Sequence, residues 1–287
     1  MLGHLPALFH PNPRSVLIVG FGAGVTAGSF VLHPGIERIV ICEIEPLVPR
    51  VSSEHFAPEN YDVLNDPRVE VIYDDGRHFM ATTEEKFDII TTDPLDPWMA
   101  GSAALYSSEY YEMAKQRLNE GGFISQWMPI IATDEATVKS LVGSFLEVFP
   151  EGTIWSNRVP GDGGNDFIML GQVAPLRVDA DDLTSRLEEN PALERSLAEV
   201  KIEGALRLLA AYVGQKRNLA QWLEGAQINR ERNLRLQYLA GLSLDMQLQQ
   251  EIYRRIAQYR RYPDDIFTVP IWMERRLKSA WNLGAGN

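Results

Sequence analysis

The prediction of the fold starts from residues 15–28, SVLIVGFGAGVTAG. Its unbroken apolar run, Val16 to Val19, predicts a buried parallel strand that is covered on both faces. Gly20, Gly22 and Gly24 follow at once, and glycine lets the backbone turn tightly and approach a ligand closely. A helix predicted directly after them points its N-terminal amide groups at that ligand. A tight structural turn has the same pattern, so the residues that follow must decide.

Strands and helices are predicted to alternate through the first 172 residues. The predicted strands are Ser15–Val19, Arg38–Cys42, Val69–Tyr73, Phe87–Thr92, Gly122–Gln126, Gly152–Ser156 and Asp166–Leu170. The predicted helices between them are Val25–Leu32, Pro46–Phe56, Gly76–Thr82, Ser108–Asn119 and Glu135–Phe149. Such alternation predicts an α/β fold with a doubly wound, seven-stranded sheet. Ligands of such sheets bind beyond the carboxyl ends of the strands.

Acidic residues follow three of these strands, at the edge where a ligand is expected. Glu43 lies about 20 residues after the glycines, the position from which an acid accepts hydrogen bonds from ribose hydroxyls. Nicotinamide and flavin proteins share that feature. The acidic pair Asp74 and Asp75 and the pair Asp93 and Asp96 do not belong to their usual pattern. The sequence therefore predicts a nucleoside site with further acidic groups beside it.

The second part of the chain has a different character. Residues 1–173 are predicted to form the sheet domain and residues 174–287 a helical C-terminal region without glycine-rich loops. The predicted helices there are Asp181–Glu189, Leu193–Val213, Leu219–Leu223 and Met246–Tyr259.

Composition excludes several classes of protein. The net charge of −12 is concentrated in the first 174 residues, which argues against a nucleic-acid partner and is compatible with a cationic substrate. The single cysteine, Cys42, indicates a reducing compartment, and no histidine or cysteine pattern predicts a metal site. No apolar run reaches the roughly 20 residues of a membrane span, and the first residues do not resemble a secretory signal. A cytoplasmic location is therefore expected.

Several of these segments, read together, resemble the spermidine synthase (polyamine aminopropyltransferase) family. That family is built on the Rossmann-like fold of adenosylmethionine methyltransferases, and the resemblance covers residues 4–172. It is carried by HPNPRSVLIVGFGAG (10–24), ICEIEP (41–46), NDPRVEVIYDDGRHF (65–79), FDIITTDPLDP (87–97), ALYSSEYYEMAKQRLNEGG (104–122) and SQW (125–127). GFGAGVTAG, DPLDPWMAGSAALYSSEYY and QWMPI are more similar still to the synthase-like domains that some bacteria fuse to a membrane segment.

The resemblance implies a role for each matching residue at the donor side. The donor would be adenosylmethionine or its decarboxylated form, bound as a co-substrate without a metal. Gly20, Gly22 and Gly24 would pack against its nucleoside and its sulfonium-bearing chain, and Glu43 would hold the ribose hydroxyls. Asp75 would contact the adenine amino group, while the neighbouring Gly76 would keep the turn open.

The resemblance also implies the acceptor side, where a polyamine or another small amine would bind. Asp93 corresponds to the catalytic acid of the family and Asp96 to an acid that binds the cationic acceptor, with Tyr106 and Gln126 bordering the site. The chemistry agrees with this assignment, because an amine that attacks a sulfonium-activated carbon must be oriented and deprotonated. Two acids on one loop after a strand suit that task. Asp96 followed by Pro97 is equally compatible with a plain turn.

Three features depart from the family pattern. Ala23 replaces an acid that meets the amine of the decarboxylated donor, so we expect intact adenosylmethionine to bind at least as well. The N-terminal β-domain of the family has no counterpart, so either a partner or the C-terminal helices close the acceptor site, or the acceptor is no longer a polyamine. Pro94 and Trp98 alter the loop after the fourth strand; Trp98 either borders the acceptor, stacking on a cation, or simply packs.

Three functions are compatible with the sequence. The first is transfer of an aminopropyl-type group from the sulfonium donor to an amine. The second keeps the fold and donor but transfers only the methyl group. The third is a non-catalytic nucleoside-binding or regulatory domain, which the acids Glu43, Asp75 and Asp93 argue against. A homodimer and a membrane-linked partner domain are both compatible with the resemblance.

Overall fold

The structure is a computed structural model that describes residues 1–156, 166–244 and 246–284. Its strands are β1 (Ser15–Val19), β2 (Arg38–Glu43), β3 (Val69–Tyr73), β4 (Phe87–Thr92), β5 (Leu118–Met128), β6 (Thr153–Ser156), β7 (Phe167–Gln172), β8 (Val178–Asp179), β9 (Tyr212–Gln215) and β10 (Phe267–Thr268). The helices of the first part are α1 (His4–Phe9), α2 (Val25–Val31), α3 (Leu47–His55), α4 (Gly76–Thr82), α5 (Ser108–Gln116) and α6 (Glu135–Val148). Those of the second part are α7 (Ala180–Glu188), α8 (Pro191–Glu199), α9 (Gly204–Ala210), α10 (Lys216–Leu219), α11 (Arg235–Leu242), α12 (Gln249–Ala257) and α13 (Ile271–Gly284).

Eight strands form one sheet in the order β3-β2-β1-β4-β5-β7-β6-β9, and β8 pairs with β10 in a small second sheet. Strands β3, β2, β1, β4 and β5 run parallel. Strands β7, β6 and β9 each run antiparallel to the neighbour before them in that order. The predicted doubly wound α/β sheet is confirmed, with one strand more than the seven predicted.

Strand β1 is buried on both faces, as its apolar run predicts. Leu17 and Val19 pack into a core with buried side chains of α5, α6 and α12. Val16 and Ile18 face the opposite way, into a core that contains Phe30 of α2. The order of the strands reverses between β1 and β4, where Val19 lies opposite Thr92, so the ends of these two strands form the position at which such sheets bind ligands.

The long helix predicted over Leu193–Val213 is wrong. The chain instead forms α8, α9 and β9, and β9 extends the main sheet by pairing with β6. Lys201 and Gly204 have φ angles of 58° and 72°, so the backbone leaves the right-handed helical region between α8 and α9. The helix predicted over Leu219–Leu223 is also wrong, because α10 ends at Leu219 and residues 220–225 form turns. The predicted helical character of the C-terminal part is otherwise confirmed. No helix within the described ranges is long and apolar enough to cross a membrane.

Candidate active site

The glycine loop after β1 is hydrogen-bonded to the protein on one side and has free space on the other. Gly24 has a φ of +80°, and a Cβ there would lie 2.5 Å from the Phe21 ring, so only glycine fits. The Ser52 hydroxyl donates to the Gly22 carbonyl at 2.5 Å, and the Asn60 amide donates to the Ala23 carbonyl at 3.0 Å. A Cβ on Gly22 would have no heavy atom within 4 Å. The loop is therefore fixed to the protein on one side and leaves room for a ligand on the other.

Glu43, at the end of β2, is oriented by two backbone amides. Its Oε2 accepts from the Phe21 N–H at 2.7 Å and its Oε1 from the Glu45 N–H at 2.8 Å. Its side chain is buried, whereas the next residue, Ile44, is 69% exposed. Each carboxylate oxygen retains a second lone pair, so Glu43 can accept from two neighbouring hydroxyls while Ile44 offers an apolar surface to a flat base.

Asp75 starts helix α4 and remains exposed. Its Oδ1 accepts from the N–H groups of Arg77 and His78 at 2.8 and 3.1 Å, which makes it the N-cap of the helix. A Cβ on Gly76 would lie 2.4 Å from a methyl group of Val19, so glycine allows α4 to start directly against β1. Asp75 therefore has a structural role that the sequence did not predict, and the helix cap uses only its Oδ1.

Asp93 lies directly after β4, beside the glycine loop. The backbone carbonyl of Asp93 is 3.7 Å from the Cβ position of Gly20, and the Thr26 hydroxyl donates to Oδ2 of Asp93 at 3.4 Å. Its carboxylate is reached by solvent, yet the protein around it removes enough water that desolvation raises its pKa. A carboxylate with a raised pKa binds a proton more readily, which suits a general base.

Two further acids share this environment. Burial raises the pKa of Asp96, and the charge of Asp166 adds to that rise. Burial also raises the pKa of Asp166, while hydrogen bonding from the Trp127 side chain and the Ile130 backbone partly offsets it. The charge of Asp166 raises the pKa of Asp93 as well. Asp166 was predicted only to start a strand; its signal in the sequence is a charged residue directly before an apolar run, with nothing local to mark it as part of the site.

Tyr106 and Gln126 are fully buried and lack hydrogen-bond partners at one polar atom each. The Gln126 amide donates to the Leu105 carbonyl at 3.0 Å, but its Oε1 has no partner. The Tyr106 hydroxyl has none either; burial raises its pKa well above the usual range, and the negative charges of Asp93 and Asp96 contribute to the rise. A buried polar atom without a partner is costly, and a bound ligand is one way to satisfy it.

Trp98 lies apart from these buried groups. It lines a surface groove with residues of the C-terminal part, among them Glu231, Asn233 and Tyr238. The predicted residues thus form two groups. The glycines, Glu43, Asp75 and Gly76 lie at the ends of β1 to β3, whereas Asp93 and Asp96 follow β4 and Gln126 lies near the end of β5. Within the described residues, no three histidine, cysteine, aspartate or glutamate side chains converge closely enough to hold a metal ion.

A doubly wound sheet with a glycine loop and acids at its carboxyl edge is typical of α/β proteins that bind nucleosides. Comparison with known sequences identifies the family within this class of proteins. The chain belongs to the family of the spermine/spermidine synthase domain, whose sequence model matches residues 1–160.

Among curated proteins, it is 31% identical to a polyamine aminopropyltransferase of Leptospira biflexa over 160 residues, 56% of each chain. It is 39% identical to polyamine aminopropyltransferase 1 of Pseudomonas aeruginosa over 124 residues, 43% of each chain. A polyamine aminopropyltransferase of Nitrosomonas europaea is 28% identical over 221 residues, 73% of this chain and 65% of its own. The chain thus spans about half the length of the first two relatives.

Solved structures agree on the fold. The spermidine synthase of Thermotoga maritima superposes with a TM-score of 0.61 at 22% identity, covering 77% of this chain and 72% of its own. Human methyltransferase-like protein 13, in complex with SAH, gives 0.51 at 23% identity, covering 67% and 86%. These likenesses confirm the Rossmann-like fold that the sequence resemblance implies.

Proposed function

We propose that this chain catalyses transfer of an aminopropyl-type group from a sulfonium nucleoside, adenosylmethionine or its decarboxylated form, to a small amine or polyamine. The observation that carries the proposal is the position of Asp93. It lies where the strand order reverses, beside the glycine loop, with a raised pKa and a second acid three positions later on the same loop. The names of the relatives agree with it.

The residues at the ends of β1 to β3 fit the nucleoside half of such a donor. Glu43 has free lone pairs for the two ribose hydroxyls because the protein supplies only one N–H to each oxygen. Ile44, exposed beside it, can cover one face of the adenine. The Oδ2 of Asp75 can accept from the amino group of the base, since only Oδ1 is used to cap α4.

Asp93 would act on the acceptor. It takes a proton from the ammonium group, and the neutral nitrogen then attacks the carbon next to the sulfonium sulfur. The new N–C bond forms as the C–S bond breaks, and the electron pair of that bond returns to sulfur, which leaves as a neutral thioether. Because the leaving group is activated in advance, the protein mainly has to orient the reactants and supply the base.

Ala23 carries the proposal about the donor. It places no charge on the glycine loop at a position where an acid would favour a donor without a carboxylate. We therefore expect calorimetry to give an affinity for intact adenosylmethionine at least equal to that for the decarboxylated form. A clear preference for the decarboxylated donor would contradict this expectation without affecting the role of Asp93.

Mass spectrometry of the products is the decisive experiment. The protein is incubated with each donor and with a panel of diamines, polyamines and monoamines. Methylthioadenosine together with an extended amine supports the proposal. The donor is identified by the incubation in which these products appear. Adenosylhomocysteine with a methylated amine would make the protein a methyltransferase. Donor binding with neither product would support a non-catalytic nucleoside-binding domain.

The location and assembly of the protein are likewise proposals. A cytoplasmic enzyme that acts as a homodimer, or beside a membrane-linked partner domain, agrees with the resemblance described above. Size-exclusion chromatography with light scattering tests the dimer directly, since a single species at the monomer mass would exclude it.

A further inference from the structure

Asp166 is brought to the acceptor site by the pairing of the sheet. Strand β5 lies parallel to β4, with Gln126 opposite Thr92, so both strands end at the same edge. Strand β7 runs antiparallel to β5 and starts with Phe167 opposite Met128. Asp166, one residue before β7, therefore lies at the edge where Asp93 follows β4, although the two residues are far apart in sequence.

One oxygen of the Asp166 carboxylate, Oδ1, is buried and is left without a hydrogen bond. No lysine or arginine among the described residues forms an ion pair with Asp93, Asp96 or Asp166. The charge of Asp166 raises the pKa of both Asp93 and Asp96, and the Met1 ammonium counteracts this rise at Asp93. The repulsion between Asp166 and Asp96 costs stability unless a further cation joins them.

The polar atoms next to these acids are also short of donors. The Oε1 of Gln126 can only accept, and the Tyr106 hydroxyl lies near enough to Asp93 and Asp96 for their charges to raise its pKa. A ligand for this region must therefore bring several N–H groups and positive charge. The three acids do not converge as metal ligands, so an extended organic cation fits better than a metal ion.

We propose that Asp166 is a specificity-determining residue which, together with Asp96, binds the non-reacting ammonium group of a diamine-type acceptor. Asp93 then faces the nitrogen that reacts. This inference rests on the proposed function, since it assigns Asp93 to the reacting end. It adds a residue outside the loop after β4 and predicts that acceptors with two positive charges are selected over monoamines.

Calorimetry with the protein saturated with methylthioadenosine tests the assignment without requiring turnover. The probes are 1,4-diaminobutane and 1-aminobutane, which differ in the second ammonium group. Asp166→Asn is expected to weaken binding of the diamine about tenfold and that of the monoamine less than twofold. Asp166→Glu should retain most of the diamine affinity, because it keeps the charge.

Asp264→Asn is the matched control. It removes one exposed aspartate whose charge acts on Tyr262 and Lys278 rather than on the acceptor acids, so diamine binding should not change. In steady-state assays the Asp166→Asn variant should raise KM for the diamine and leave kcat within about threefold.

Equal losses for diamine and monoamine, or no loss, would overturn the role of Asp166. So would a wild-type protein that binds neither probe. If such a protein still produces an extended amine from another acceptor, the proposed function survives and only this inference fails. Diamine binding that depends on Asp166 in a protein without turnover would support the role of Asp166 and contradict the proposed function.

Discussion

The candidate site has a nucleoside half, Glu43 and Asp75, and an acceptor half, Asp93, Asp96, Asp166, Tyr106 and Gln126. The two halves satisfy their polar groups in opposite ways. At the nucleoside half, the protein's own backbone holds the acids: Glu43 accepts from Phe21 and Glu45, and Asp75 accepts from Arg77 and His78. At the acceptor half, Asp166, Gln126 and Tyr106 each have a buried polar atom without a partner. One half is complete before a ligand arrives, and the other is not.

The half with unsatisfied polar atoms depends more on its ligand. Acids held by backbone amides need no rearrangement to accept hydroxyl groups, which is the arrangement expected of a preorganised binding site. At the acceptor half, the charge of Asp166 raises the pKa of Asp93 and of Asp96, so a cation that enters gains more from these acids than from acids already held by backbone amides. We therefore propose that the acceptor half lowers the stability of the free protein and gains from binding a cation, as functional sites often do.

The largest effect is expected from Asp93→Asn. The amide keeps the shape of the side chain but cannot take a proton from the acceptor, so kcat should fall about 10²- to 10⁴-fold. Because the nucleoside half is complete without Asp93, donor affinity measured by calorimetry should stay within twofold. Loss of donor affinity along with turnover would show that the two halves are not separate.

Glu43→Gln tests the nucleoside half. Both oxygens of Glu43 accept a backbone N–H, so in either orientation the new NH₂ group faces the N–H of Phe21 or of Glu45. We expect donor affinity to fall roughly 10- to 100-fold, as for the loss of a charged hydrogen bond and the burial of an unpaired donor. Acceptor KM at saturating donor should change little.

The matched control for that variant is Glu37→Gln, at an exposed glutamate that pairs with Arg14. It removes the same charge by the same substitution, and donor affinity should remain unchanged. An equal loss in both variants would mean that net charge, rather than the contacts of Glu43, determines donor binding.

The sequence was most informative where local patterns determine structure. Strands β1, β3 and β4 have the predicted bounds, because short apolar runs followed by glycine or acids mark them. Strand β5 starts at Leu118 rather than Gly122 and ends at Met128. Its extra residues are fixed by pairing, Leu118 with Phe87 and Met128 with Phe167, and that pairing is not visible in a single sequence. The same reason explains why β9 was missed.

The candidate site residues divide in the same way, into those that a local pattern predicts and those whose position depends on strand pairing. Glu43, Asp75 and Asp93 were predicted as site residues because each follows a strand that the sequence predicts. The double role of Asp75, as helix cap and candidate ligand, could not be separated from its sequence position alone. Asp166 precedes its strand, and only the antiparallel direction of β7 brings it to the edge where the other acids lie. Asp166 could therefore not be assigned to the acceptor half from the sequence, because its position depends on the direction of β7.

The smallest expected effect is on stability, and it tests the acceptor half without a substrate. A carboxyl whose pKa is raised by folding adds stability that is fully present below its unfolded pKa and is lost as pH rises through the folded pKa. Asp166 is such a group, so at pH 7.5 its charge should destabilise the fold.

Asp166→Asn removes that charge and should raise Tm by about 2 °C at pH 7.5, the change that roughly 1 kcal/mol gives in a chain of this size. The gain should shrink as pH is lowered towards about 4, because the raised pKa of the wild-type carboxyl favours its protonation in the folded protein. Scanning calorimetry at both pH values gives the comparison, and adding 1,4-diaminobutane should stabilise the wild type more than the variant. A lower Tm for the variant at pH 7.5 would mean that Asp166 supports the fold and that the acceptor half is satisfied without a ligand.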